Sequence, residues 1–194
     1  MNIILEHLKT RRSIKAQSLI APGPSNEELE EILLAANRVP DHKKLGPWRF
    51  IIFTGAANNQ AGVVLAKRYK TKNPEATDKL AKFEESRFTR APLVVGVVVS
   101  PRENDKVPRD EQVLSVGAVC QNLIIAATSL GYGAQWLTEW YSYDENIAKS
   151  FGLKDAESFA GFIYIGSFDC KPEERARADL KERISYFNTI DPVL

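Results

Sequence analysis

The chain has 194 residues, 44% apolar and 26% charged, a length and balance that suit one soluble domain over residues 1–194 with a sizeable core. Lysine plus arginine (26) exceeds aspartate plus glutamate (25) by one, which excludes the global basic field of a nucleic-acid binder and leaves any phosphate recognition local. With two histidines and two widely spaced cysteines, a histidine-rich metal centre and a close redox pair are both excluded.

The opening residues, MNIILEHLKT, lack the basic start, long apolar middle and small-residue cleavage site of a secretory signal, so a cytoplasmic protein is expected. Ile4, Leu5 and Leu8 recur at helical spacing and predict a helix from about residue 2 to 11, with His7 facing solvent. That helix ends at Arg11-Arg12-Ser13, where two planar guanidinium groups able to grip phosphate oxygens bidentately stand beside a hydroxyl donor. The same pair also suits a solvated helix end that complements the helix dipole. Ser25 followed three residues later by Glu28 is a capping box, and Leu29, Ile32, Leu33 and Ala36 supply the apolar face of a second helix to about Arg38. Pro40 and Pro47 bracket a loop carrying His42, after which Arg49 to Phe53 reads as a largely buried strand with Trp48 as core.

Asn73-Pro74 reads as an N-cap with proline at the first helical position, inside a charged, peripheral helical region. Pro92 to Ser100 is β-branched enough for a central strand; its run Leu93 to Val99 falls far short of the about 20 apolar residues that span a bilayer, so no membrane partner is expected. A long helix follows from Arg109 to Leu130, stopped by Gly131. Its apolar residues leave little room for a polar face, which predicts burial against the sheet, another helix or a second subunit. A strand from Ala134 to Thr138, a short helix capped by Asp144 and stopped by Gly152, a strand from Gly161 to Gly166 and a polar tail with Arg175 and Arg177 complete the pattern. The alternation predicts α+β or α/β layers around a mixed sheet of four or five strands. Cys120 and Cys170 read as free thiols in a reducing compartment.

Gly131-Tyr132-Gly133 links a helix to a strand, the reverse of the context a dinucleotide-binding turn requires. No Walker loop and no Gly-x-Ser-x-Gly elbow is present. An enzyme without a nucleophile or metal-ligand spacing needs a cofactor to carry the hard chemistry.

Arg11-Arg12-Ser13, Arg38-Val39-Pro40-Asp41-His42-Lys43, Pro47-Trp48-Arg49-Phe50, Lys106-Val107-Pro108-Arg109, Gly131-Tyr132-Gly133 before Trp136, and Gly161 to Gly166 together resemble the FMN-dependent nitroreductase family, in particular its short subgroup. The resemblance runs in register over nearly the whole chain. It implies an α+β fold with a mixed central sheet flanked by helices, a long central helix at a homodimer interface, and FMN in sites built from both subunits. The activity it implies is hydride transfer from NADH or NADPH to flavin and on to a nitroaromatic, quinone or other small electron acceptor. By position, Arg11, Arg12 and Ser13 would hold the FMN phosphate or ribityl chain, Arg38 and His42 would reach the flavin held mainly by the partner, and Trp136, Leu137 and Thr138 would line it. Lys15 is either a solvated side chain or, with His42, a cation for the charge that reduced flavin develops near N1. Arg177, with Arg175, is either a charged tail or a pair directed at the phosphate. Leu137 stands where a close relative in that subgroup would place an arginine; this leaves open an altered flavin contact or nicotinamide preference. The alternatives are an FMN-binding or carrier protein without turnover, or a flavin enzyme of different outcome such as a dehalogenase.

Overall fold

The computed structural model describes residues 2–187; residues 1 and 188–194, at the two ends of the expected single domain, lie outside the described part. Asn2 opens α1 (Ile3–Thr10), its side-chain oxygen accepting from the Ile4 and Leu5 N–H groups at 3.0 and 3.2 Å. The expected capping box of Ser25 and Glu28 opens α2 (Asn26–Ala36). There follow β1 (Trp48–Thr54), α3 (Ala56–Lys72), α4 (Asp78–Glu85), β2 (Leu93–Val99), α5 (Arg109–Ser129), β3 (Gly133–Leu137), α6 (Glu145–Ser150) and β4 (Ser158–Gly166). Asn73 does not start a helix. Its N–H donates to Tyr69 O at 2.9 Å, so it closes α3, and Thr77 caps α4 by accepting from Leu80 N–H at 3.3 Å.

The sheet corrects the expectation of mixed pairing. Among the described residues it has four strands in the order β1-β2-β4-β3, every neighbour antiparallel. The single long crossover through α5 does return β3 parallel to β2, as one helix between strands demands. β4 then inserts antiparallel between the two, and no parallel neighbours remain.

β2 is buried along its whole length. Leu93, Val95, Val97 and Val99 face a layer built from α2 and α5, where Ile32, Val116, Val119, Leu123 and Ile124 meet them. Val94 and Val98 face the other layer, where Phe53, Phe88, Tyr141 and Phe162 form an aromatic cluster with Leu65 and Ile147. Among the described residues α5 is the one helix long and apolar enough to cross a membrane by length and composition, yet its inner side is a core layer of this sheet. Burial in that layer pushes the Cys120 thiol up to about 12, which makes it unreactive.

Two polar clusters brace the aromatic side. Arg87 joins Glu84 and Glu139, Arg90 pairs with Glu139 at 2.9 Å, and the Tyr141 hydroxyl donates to Glu139 at 2.8 Å. Arg49 grips Glu157 bidentately at 2.9 and 2.6 Å, and the Lys154 N–H donates to the same carboxylate at 2.8 Å. These donors, Arg49 first, hold the Glu157 carboxyl at about 2 against an ordinary 4.5. The stabilisation is therefore complete above pH 4.5 and is lost as pH falls through 2. Its ceiling is about 3 kcal/mol at neutral pH. Glu157→Gln is expected to lower urea stability at pH 7 by about 2–3 kcal/mol and to flatten the acid loss between pH 5 and 2. An acid slope equal to that of the parent would show that this pair does not carry it.

Candidate functional site

The backbone at Arg11 leaves the helical region, its N–H closing α1 on His7 O at 2.8 Å. From there the chain runs extended beside β3. Ile14 N–H donates to Ala134 O at 3.2 Å, Ala16 N–H to Gln135 Oε1 at 2.6 Å, and Ile20 pairs with Ser167 at the end of β4. Ile14 and Ala16 point into the core, so the intervening Ser13 and Lys15 turn outward. Gly133 permits this approach: a Cβ there would lie 2.6 Å from Leu19 and 2.9 Å from Ile14. Gly131 holds a positive φ of 91° at the end of α5, so both glycines of the Gly-Tyr-Gly segment serve packing and turning.

Trp136 stands on β3 with its indole against β4. A Cβ at Gly161 would fall 2.2 Å from the indole nitrogen, which donates to Ala160 O at 3.1 Å. The ring is anchored on one side and still 37% exposed.

These residues open on a cleft of about 570 Å³. Its walls carry Lys9, Arg11, Arg12, Lys15, Arg175 and Arg177, with Ser13, Gln135 and Trp136 completing the lining together with Leu8. Among the described residues the C-terminal tail brings the one carboxylate in contact with these cations: Glu174 lies 3.5 Å from Arg12 and 2.9 Å from Arg177, and Arg12 also donates to the Glu173 carbonyl. Arg11 Nη1 is buried and has no hydrogen-bond partner among the described residues. A buried guanidinium nitrogen left unpaired costs free energy that an anionic oxygen would recover. The donor set therefore fits a phosphorylated ligand with a planar ring.

Of the residues expected from sequence, the fold brings Arg11, Arg12, Ser13, Lys15, Trp136 and Arg177 together. Leu137 turns instead to the aromatic core cluster, and Thr138 lies beyond β3, exposed and outside the cleft lining. Arg38 and His42 sit on the loop from α2 to β1, also outside it. There Asn122 holds the Arg38 carbonyl at 2.9 Å, Asp41 accepts from the Leu45 and Gly46 N–H groups, and His42 Nδ1 meets Glu111 at 2.8 Å. Trp48 packs on the α2–α5 layer and donates to Asn37 at 2.7 Å, in keeping with a core role. His7 is not solvent-facing: half-buried, its Nε2 lies 2.9 Å from the Thr128 hydroxyl. That hydroxyl also lies 2.8 Å from Ile124 O, which ties His7 to the last turns of α5.

Sequence reasoning missed Lys9, Gln135 and Glu174. Lys9 had a usable signal, a third cation two residues before the arginine pair at the end of the helix. Gln135 had a weaker one, a lone amide within an apolar strand. Glu174 had none.

The class the fold and cleft define is that of an α+β protein whose cation-lined cleft beside an anchored tryptophan offers donors suited to a phosphorylated ligand with a planar ring. Residues 8–167 match the model of the Nitroreductase family, and the chain belongs to that family. It is 34% identical over 163 residues to "Putative NAD(P)H nitroreductase YdjA" of Escherichia coli strain K12, covering 84% of this chain and 87% of the relative. Its fold is similar to the crystal structure of a nitroreductase-like family protein from Bacillus cereus, with TM-score 0.81 and 24% identity over 97% of this chain and 98% of that one. A nitroreductase with bound FMN from Bacteroides fragilis superposes with TM-score 0.70 and 20% identity, covering 97% of this chain and all of the other (100%).

Proposed function

We propose that the protein is an FMN-dependent oxidoreductase that takes hydride from NADH or NADPH and reduces a nitroaromatic, a quinone or another small electron acceptor. The observation that carries this reading is the cleft itself, where Arg11, whose buried Nη1 has no partner among the described residues, is one of six cationic side chains beside an anchored indole. The named activity of YdjA and the bound FMN of the Bacteroides fragilis structure support it. Arg11, Arg12 and Arg177 would hold the phosphate by charge-assisted bonds, and Ser13 would add a hydroxyl donor. Trp136 offers the exposed face of its ring to the ligand. Lys15 places a positive charge on the cleft wall, where it favours extra negative charge on the ligand. FMN, when bound, would supply the hydride acceptance and electron delivery, and among the described residues no group of side chains could hold a metal ion for such chemistry.

We read the protein further as a single-domain, cytoplasmic homodimer. α1 supports the dimer: Ile3, Ile4, Leu5 and Leu8 are all exposed, and Leu114 on α5 is 74% exposed, more large apolar surface than two isolated helices leave to water. In such a dimer Arg38 and His42 would face the partner's flavin. The free thiols Cys120 and Cys170 suit a reducing compartment.

The visible spectrum of the purified protein, recorded before and after anaerobic NADH and NADPH, tests the reading. A flavin band that bleaches with either nucleotide supports it. A band that persists with both would leave a carrier, and no band after added FMN would remove the cofactor from the argument.

A further inference from the structure

The donors that suit a ligand phosphate already hold an oxygen of the chain's own. Glu174 Oε1 lies 2.9 Å from Arg177 Nη2, 3.5 Å from Arg12 Nη1 and 2.9 Å from the Arg175 N–H. The Arg175 N–H first, then Arg177 and Arg12, keep this carboxyl below the ordinary glutamate range, so it stays charged. Glu174 belongs to a tail segment without helix or strand, and its side chain is 64% exposed. Moving it away breaks no core contact. A phosphate monoester offers three acceptor oxygens and about twice the charge of a carboxylate.

We propose that Glu174 is an internal competitor for the phosphate subsite: its carboxylate and the phosphate of an incoming ligand bind the same donors of Arg12, Arg177 and the Arg175 N–H, so that ligand binding displaces the Glu174 side chain while the tail stays in place. The inference rests on the FMN reading above and adds a residue that opposes binding. It couples occupation of the cleft to the position of the Glu174 side chain. The opposite role, in which Glu174 stays in place and orients Arg12 and Arg177 for the ligand, predicts the opposite sign on substitution.

Titration of FMN and of riboflavin into the purified parent, Glu174→Gln and Glu173→Gln separates these roles. The two variants change net charge equally, but Glu173 touches Arg12 through its backbone carbonyl alone. Glu174→Gln is expected to tighten FMN about threefold to tenfold, the scale of exposed ion pairs, and to leave riboflavin within about twofold. Glu173→Gln is expected to leave both ligands within about twofold. Unchanged or weaker FMN binding by Glu174→Gln would overturn the proposal. So would equal tightening by Glu173→Gln or of riboflavin, since either would report the general field and not the phosphate subsite. A parent protein that binds neither flavin would overturn the cofactor reading and this inference with it, whereas FMN binding that Glu174→Gln fails to tighten overturns the inference alone.

Discussion

Replacing both Arg11 and Arg12 by alanine is expected to weaken FMN binding by about 100- to 1000-fold while leaving riboflavin binding within about threefold, because each guanidinium contributes about 1.5–3 kcal/mol of charge-assisted bonding to a phosphate. The two residues lie just past the end of α1 and belong to neither hydrophobic core cluster, so the loss falls on the ligand and not on the core. Arg11→Ala alone should account for at least half of the free-energy change. Its Nη1 is buried and, among the described residues, unpartnered, whereas Arg12 is engaged by Glu173 and Glu174 and must surrender those contacts. Fluorescence titration with the two flavins provides the measurement. FMN affinity within threefold of the parent in the double variant would mean that the arginine pair is a solvated helix end.

Phe88→Ala is expected to cost about 3–5 kcal/mol of folding stability, a large share of the 5–15 kcal/mol that domains possess. Phe88 is fully buried at the centre of the aromatic cluster. Its ring lies 4.8 Å from Phe53, 5.2 Å from Phe162, and 5.6 Å from both Tyr141 and Phe151, with edge-to-face or tilted geometry throughout. Aromatic rings on four sides cannot close over the space that alanine would leave, so the cavity persists. Tyr143→Ala, at a side chain 73% exposed, is the matched comparison and should stay within about 0.5 kcal/mol. Urea unfolding of the two variants decides the matter; a loss below about 1.5 kcal/mol for Phe88→Ala would show that the cluster relaxes into the space.

Elements and their ends were legible where the controlling interaction is local. Ser25 and Glu28, Asp144, and the helix stop at Gly131 each act within a few residues, and each has the role that spacing predicted. Asn73 was misleading because an Asn-Pro pair suits the end of one helix as well as the start of the next, and the stronger cap, Thr77, lay four residues on. His7 was misleading because Ile4, Leu5 and Leu8 mark a face that this chain leaves exposed, while His7 docks on Thr128 at the end of α5, 121 residues away. The short subgroup's pattern led from the motifs to the family, and the family match over residues 8–167 is consistent with the order in which those motifs occur.

By itself the sequence determined the helix and strand content, the buried character of β2, the guanidinium pair at a helix end and the membership of a family, because caps, periodicity and motif order are all properties of short stretches. Tertiary structure alone decided that β4 inserts between β2 and β3, that Gly133 and Gly161 clear space for Ile14 and Trp136, and that Arg177 and Glu174 from the tail converge on Arg12. Those outcomes depend on contacts between residues far apart in the chain, where the gain of closing the loop is set by everything packed around it and by no local pattern.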